Sequence, residues 1–586
     1  RDGKRQSDEF HTVAIVGERE GGRHYFALDV TNPALPKYLW SFPPPSMAEA
    51  LNTGESWNDV APGAPPIVNI VVQDSTGPIN RGGSRASEKW IVGIGGGFDP
   101  DLLRGRGIHV LDAWSGQEVF RFSRAESTGS TDPRQNLFPV ASSLSFADTD
   151  QDMVFDTLTF GDTAGQVWAI NLLPPGSDTT GDGRYDNWFG GRAFVEFKGS
   201  PLWHRAPFFQ RPSMAVVPQP GGASIIRALL GSGNRDQMKD GQGGTCGLAD
   251  LDACQRQDCT VDVNATSRRI GPAPQGGAGG HFQTGEWKYT TGNTALTTNT
   301  LTVTPGDTQG SLTTDVDDVN VNYTLTCGTT TQTNVNNIYC DFSLGECPPD
   351  TGKPLGTKLI WTPTVAQEYT RFYSVQVWGT GNRAPPTTLA TAQTYDANAL
   401  SDTNLVDAST CPLNAGVGAC ASPTGNGWFI THNQTVTLAG VTQARTPGDE
   451  KTGSSALILA GCALWNTLLP NNQAVLACNG TLPPDNAFVY QSDALTGHLQ
   501  CGVAGSATAN ATVRAVRRDT NVTPQQFTPV VSLNQKTGNV AYSGVSLEPG
   551  APPLQVQVGG NNVIGFVKWL EVSRATHDCR HSGKCQ

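Results

Sequence analysis

Three observations predict an all-β protein. Short apolar runs rich in Val, Ile, Thr and aromatic residues recur along the chain, turn formers are abundant (67 Gly and 39 Pro in 586 residues), and long amphipathic helical patterns are hard to find. That mixture suits many short strands joined by turns. At 62.0 kDa the chain exceeds one ordinary small core, so either one large β domain with insertions or several domains are expected.

The strands recur in a pattern. Each unit has an apolar strand, a Gly-rich turn, a second strand ending in an acid or amide, then a turn and an aromatic strand. The first unit runs Thr12–Gly17, Tyr25–Asp29 and Tyr38–Phe42; the second Trp90–Gly95, Ile108–Asp112 and Val119–Phe122. A third has Thr157–Asp162 and Gln166–Asn171, and Ile225–Leu230 leads into Gly231–Arg235. Repeats of about three to four short strands point to blades of a β-propeller, with insertions at loop tips explaining the uneven spacing. A two-sheet sandwich is the rival, but it leaves the recurring hairpins unexplained.

This divides the chain into first blades over 1–245, an insertion over 246–356, remaining blades over 357–572 and a tail over 573–586. The insertion is rich in Gly, Thr, Asn and Asp and holds six cysteines, which reads as a small disulfide-bonded β module. Blade-like strands are expected to resume at Thr357–Pro363 and Phe372–Trp378, with a loop-rich insertion near 381–426 and a last strand at Gly565–Val572.

Net charge is −12 with pI ≈ 5.2 and no basic cluster, which disfavours nucleic acid and anionic membrane as partners. No apolar run reaches the ~18 residues of a spanning helix. Arg1 opens a polar stretch, so any signal peptide is expected to have been removed or to lie upstream. All thirteen cysteines lie from Cys246 onward without a C-x-x-C pair, which reads as local disulfides in an oxidising, exported compartment. Cys462 with Cys478 and Cys579 with Cys585 are the preferred pairs. The tail residues His577, Cys579, His581 and Cys585 have zinc-capable side chains, but a disulfide or a disordered end fits a polar terminus better.

The sharpest chemistry lies in Asp148-Thr-Asp150-Gln-Asp152-Met-Val154-Phe-Asp156. Carboxylates at relative positions 1, 3, 5 and 9, with the main-chain carbonyl of Val154 at position 7, are spaced as oxygen ligands wrapping a hard cation. Ca²⁺ tolerates such an irregular oxygen shell better than Mg²⁺. A solvated Asx-turn is the plainer alternative, but it requires fewer acids. The loop is not an EF-hand: Thr159 stands at position 12 where a bidentate Glu belongs, and Met153 at position 6 where Gly would ease the turn. A looser copy follows at Asp178, Thr180, Asp182, Arg184 and Asp186, with the better glycine (Gly183) but fewer acids; the alternative there is a surface turn. No catalytic set stands out. Gly93–Gly97 opens no convincing helix for a phosphate, and His24, His109, His204 and Trp168 read as structural.

Four stretches resemble the C-terminal domain of the PilY family of type IV pilus biogenesis factors and tip adhesins. They are His11–Val13 with Tyr25–Pro33, Ile108–Gly116, Asp148–Ile170, and Gly231–Arg235 with Trp569–Val572. The resemblance covers most of 11–235 and, thinly, 357–572. It implies a modified propeller of about seven blades. It also implies a larger protein with a further N-terminal half, and calcium held by Asp148, Asp150, Asp152 and Asp156 as side chains and Val154 through its carbonyl. The implied role is non-enzymatic: pilus extension, surface attachment and twitching motility, with minor pilins of the pilus tip complex and a host or abiotic surface as partners. The implied location is the pilus tip or cell surface, reached through the periplasm of a Gram-negative bacterium. The chain has no R-G-D tripeptide, so integrin binding is not carried over. Two alternatives stand beside this reading. A quinoprotein-like dehydrogenase is suggested by the Asp112–Gly116 turn, where Ser115 and Phe120 depart from that motif's Thr and Trp; an integrin- or lectin-like propeller also carries calcium loops.

Overall fold

The computed structural model describes most of residues 11–233 and 370–498, together with backbone strands within 285–363 and 515–560. It is predominantly β, built from antiparallel meanders taken in chain order. The first sheet holds Val13–Gly17, Tyr25–Asp29 and Lys37–Phe42; the second Ile67–Gln73, Ala86–Gly95, Gly107–Asp112 and Glu118–Ser123. The third holds Ser145–Ala147, Thr157–Gly161, Gln166–Asn171 and Phe189–Val195. The fourth pairs Ser213–Pro218, Ser224–Gly231, Arg371–Gln376 and Gly427–Thr431, with Val406–Asp407 added in parallel at its edge. The fifth is built on Cys462–Leu469 and Asp485–Asp493, and Thr528–Asn534, Asn539–Ser546 and Leu554–Gly560 form a sixth.

The central sheets are buried on both faces, which is why their strands read as continuous apolar runs. Tyr25, Ala27, Trp40 and Phe42 of the first sheet pack on Val92, Ile94 and Leu111 of the second. The opposite face of the second sheet, with Ile70, Ile91, Val110 and Phe122, packs on Leu158, Phe160 and Trp168 of the third. Val167, Ala169 and Phe194 then meet Ala228, Tyr373 and Val375 of the fourth, whose Leu229, Phe372 and Trp428 meet Trp465 and Tyr490 of the fifth. Phe372 stacks on Trp465 at 3.9 Å. Each large apolar side chain buried in this way contributes about 1.5–3 kcal/mol.

Two tryptophans fasten neighbouring sheets in the same way. Trp40 donates its indole N–H to the Ala113 carbonyl at 3.1 Å, beside the Asp112–Gly116 turn. Asp112 Oδ1 holds that turn by accepting from Ser115 N–H and its hydroxyl, at 2.8 and 2.9 Å. Trp428 repeats this on Ala494 at 3.3 Å, beside a turn held by Asp493 and Thr496. Gly116 and Gly497 have φ of +71° and +72°, and a Cβ on Gly116 would lie 2.4 Å from the Trp40 ring. Phe120, read as standing at the tryptophan position of the motif, instead packs in the core against Trp188. Trp168 is a fully buried core residue.

Ser224–Gly231 and Arg371–Gln376 are adjacent antiparallel strands, so everything between them leaves and re-enters one sheet. Within that span Gly285–Thr291, Thr294–Pro305, Val321–Cys327 and Thr330–Thr333 form a separate sheet. Lys358–Pro363, expected to resume the blades, pairs with Gly285–Thr291 and belongs to this inserted sheet. The 381–426 segment carries the α-helix Leu389–Ala397, capped by Thr388. The expected strand at 565–572, the tail and His204 lie outside the described residues, as do the side chains of all cysteines except Cys411 and Cys462. No described helix is long and apolar enough to cross a membrane.

Candidate metal centre

The loop 148–156 links two paired strands of the third sheet, Ser145–Ala147 and Thr157–Gly161, and Asp156 N–H closes it on the Ala147 carbonyl at 3.0 Å. The short hairpin forces the acids together. Carboxylate oxygens of Asp148, Asp150 and Asp156 lie within 4.8 Å of one another, with Asp150 exposed and Asp156 buried. The backbone turns inward on the same acids. Asp148 accepts from Asp152 N–H (3.2 Å) and Met153 N–H (2.8 Å), and Asp152 Oδ1 accepts from Val154 N–H at 2.9 Å. Met153 has φ +74°, so the left-handed turn expected at position 6 is present on a residue with a Cβ.

Asp156 anchors the loop. Its Oδ2 accepts the backbone N–H and the hydroxyl of Thr149, at 2.9 and 2.7 Å. Its Oδ1 is buried and has no hydrogen-bond partner. Burial pushes its carboxyl above the usual range, the Thr149 bonds and the neighbouring Thr157 side chain, which lies outside hydrogen-bond geometry to Oδ1, oppose this, and the charge of Asp150 adds to it. A buried carboxylate oxygen without a donor, facing two further carboxylates, fits a cation better than a solvated turn. The donor set is all oxygen, as a hard ion requires. Asp152 is exposed and outside this three-residue group; Val154 is buried.

The loop is fixed to both neighbouring sheets. Phe155 N–H donates to the Asn69 carbonyl at 3.0 Å, and the Asn69 side-chain amide donates to the Met153 carbonyl at 3.2 Å, both in the second sheet's edge strand. On the other side Ser224 Oγ, at the start of a strand of the fourth sheet, donates to the Thr149 carbonyl at 3.1 Å. Neither Asn69 nor Ser224 carries any signal in the sequence. Thr149 does, because the same residue type stands at position 2 of both loops.

The second loop, Asp178 to Asp186, repeats this geometry. Thr179 donates its N–H and hydroxyl to Asp186 Oδ2 at 3.0 and 2.6 Å, Gly183 N–H donates to Asp178 Oδ2 at 2.8 Å, and Arg184 N–H donates to Asp182 Oδ1 at 2.9 Å. Gly183 has φ +87°. Thr180 directs its hydroxyl to Asp178 at 3.4 Å. Among the described residues, the acids of this loop do not form a converging three-residue group like that of the first.

Asp162 and Glu196 are also fully buried acids. Asp162 accepts from Trp168 Nε1 and Gln166 Nε2, both at 2.8 Å, and burial pushes it up to about 6. Glu196 accepts from the Tyr373 hydroxyl and Ala206 N–H, both at 2.6 Å. Burial, then the charge of Asp402, push Glu196 up to about 8. His109 is buried against Glu118 at 2.6 Å and is structural, while His24 lies half-exposed near Glu18 at 3.7 Å.

No protein-family model matches the chain, and no curated protein does. Among solved structures, the chain is similar to the crystal structure of the Pseudomonas aeruginosa PilY1 C-terminal domain. The sequence identity is 15% and the TM-score 0.41, over 93% of this chain and 80% of that chain.

Proposed function

We propose that this chain is a non-enzymatic, calcium-binding module of a type IV pilus biogenesis factor or tip adhesin, with its sheets arranged as blades of a modified propeller. The observation that carries the calcium assignment is the convergence of Asp148, Asp150 and Asp156 around the unpartnered Oδ1 of Asp156. The pilus assignment is supported by the sequence resemblance of Tyr25–Pro33, Ile108–Gly116 and Asp148–Ile170 to the PilY family. The blade reading is supported by five meanders packed face to face in chain order, with Trp40 and Trp428 as fasteners.

In this reading Asp148, Asp150 and Asp156 hold the ion, with Asp152 and the Val154 carbonyl completing the shell. The ion removes the mutual repulsion of the acids and stiffens a loop bonded to strands of three sheets. Pilus components at the cell surface read that stiffened edge: the loaded form supports an extended pilus, attachment and twitching, and the empty form permits retraction. Minor pilins of the tip complex are the proposed partners, and an exported, oxidised state of the cysteines belongs to the same reading.

The test is a strain with Asp148→Ala and Asp152→Ala, secretion of the protein being confirmed first. Reduced surface pili, twitching and attachment at fixed calcium are the expected result. Normal secretion with all three readouts at parental levels would reduce the loop to a structural staple.

A further inference from the structure

The first Asp-rich loop and the segment leading into the second bond to the same edge strand of the second sheet, at different points. The first holds Asn69 through Phe155 and Met153. The second follows Gly176, whose N–H donates to the Val71 carbonyl at 2.9 Å and whose carbonyl accepts from Gln73 N–H at 2.8 Å. Within the loop, Tyr185 N–H donates to the Val119 carbonyl at 2.7 Å in the opposite edge strand of that sheet. The two loops share most of their internal hydrogen bonds, and of the five positions at which they differ, 3 and 7 change the charge and the ligand atoms on offer. Asp150 is replaced by Thr180, and Val154 by Arg184.

Arg184 turns its guanidinium back into its own loop. Nε and Nη2 donate to Asp182 Oδ2 at 3.1 and 2.8 Å, and Nη1 donates to Glu126, just past the end of the Glu118–Ser123 strand. A planar fork bonded to two carboxylates supplies positive charge and directed donors, where the first loop has Val154 and no cationic side chain. We propose that Arg184 is the built-in cation of the second loop, so that this loop clamps the second sheet without a metal ion while the first clamps it only when loaded. The inference rests on the calcium reading of the first loop. It assigns Arg184 and Thr180 as the residues that decide which loop takes the ion. It also gives the edge strand two independent halves: Ile67–Asn69 answers to calcium, and Val71–Gln73 stays fixed.

The experiment is a calorimetric CaCl₂ titration of the full chain and of a Thr180→Asp/Arg184→Val variant, each also carried in an Asp156→Ala background. One equivalent for the parent and two for the variant are expected; in the Asp156→Ala background the variant keeps one and the parent none. Two equivalents for the parent, or no gain in the variant, would overturn the proposal. No binding by the parent with one equivalent gained by the variant would keep it and sink the calcium reading of the first loop. Should the variant not fold, hydrogen exchange of the parent decides. Chelation is expected to accelerate exchange in peptides covering 148–158 and leave those covering 174–187 unchanged; equal acceleration of both would overturn the proposal.

Discussion

The side-chain amide of Asn69 donates to the carbonyl of Met153 at 3.2 Å, tying the left-handed residue of the candidate calcium loop to the neighbouring sheet. This contact lies outside the ligand set. Asn69→Ala is therefore expected to cost about 1 kcal/mol of stability, the usual net worth of one hydrogen bond. Calcium stoichiometry should not change. Denaturant unfolding combined with a calcium titration checks both, and a lost equivalent would make Asn69 part of the binding site.

Met153 holds φ +74° with its side chain 43% exposed. The left-handed conformation costs a residue with a Cβ about 1–2 kcal/mol, while glycine's extra chain entropy offsets about 0.5–1 kcal/mol. Met153→Gly should thus stabilise the protein by about 0.5–1 kcal/mol, read as a raised midpoint of chemical unfolding. A lowered midpoint would show that the exposed methionine makes contacts worth more than the backbone strain.

Gly116 meets Trp40 so closely that no side chain fits. Gly116→Ala adds a Cβ to a left-handed residue and drives it to 2.4 Å from the indole. A loss of about 2–4 kcal/mol is expected, combining the conformational cost with overpacking. Trp40→Phe keeps a ring but forfeits the bond to Ala113, and should cost less. Thermal unfolding of the two variants orders them.

Glu196 titrates in a range that ordinary conditions cover. Its carboxyl is raised by burial from an unfolded value near 4.5 to about 8 in the folded protein. The folded state therefore binds more protons than the unfolded state between these values, and stability must fall as pH rises through the window. The slope is at most about 1.4 kcal/mol per pH unit from this group. Asp162, raised to about 6, contributes with the same sign between about 4 and 6. Glu196→Gln mimics the protonated acid and should flatten the decline between pH 6 and 8. An unchanged profile would locate the dependence elsewhere.

Much of this molecule was legible in its sequence because local chemistry decided it. The 1-3-5-9 spacing placed Asp148, Asp150 and Asp156 in one hairpin, and the hairpin length alone brings their oxygens together. The strand pairs of the second and third sheets followed from short apolar runs and Gly turns. What escaped was set by sequence-distant pairing. Lys358–Pro363 has the same apolar grammar as a blade strand, and only its partner Gly285–Thr291 assigns it to the inserted sheet. The motif places its docking tryptophan a few residues after Asp112, whereas Trp40 precedes it by a whole sheet. Asn69 and Ser224 hold the loop through single hydrogen bonds, which leave no pattern in the chain. Arg184 stood in plain sight at position 7, but its direction toward Asp182 and Glu126 depends on the second sheet beside it.

Calcium binding by the converging carboxylates of Asp148, Asp150 and Asp156 is the property proposed for this loop. It is tested most directly by calorimetric titration of CaCl₂ into the full chain and into an Asp150→Ala/Asp156→Ala variant whose folding is verified by circular dichroism. The account predicts one bound equivalent in the parent and its loss in the variant. A folded variant that titrates like the parent would contradict it.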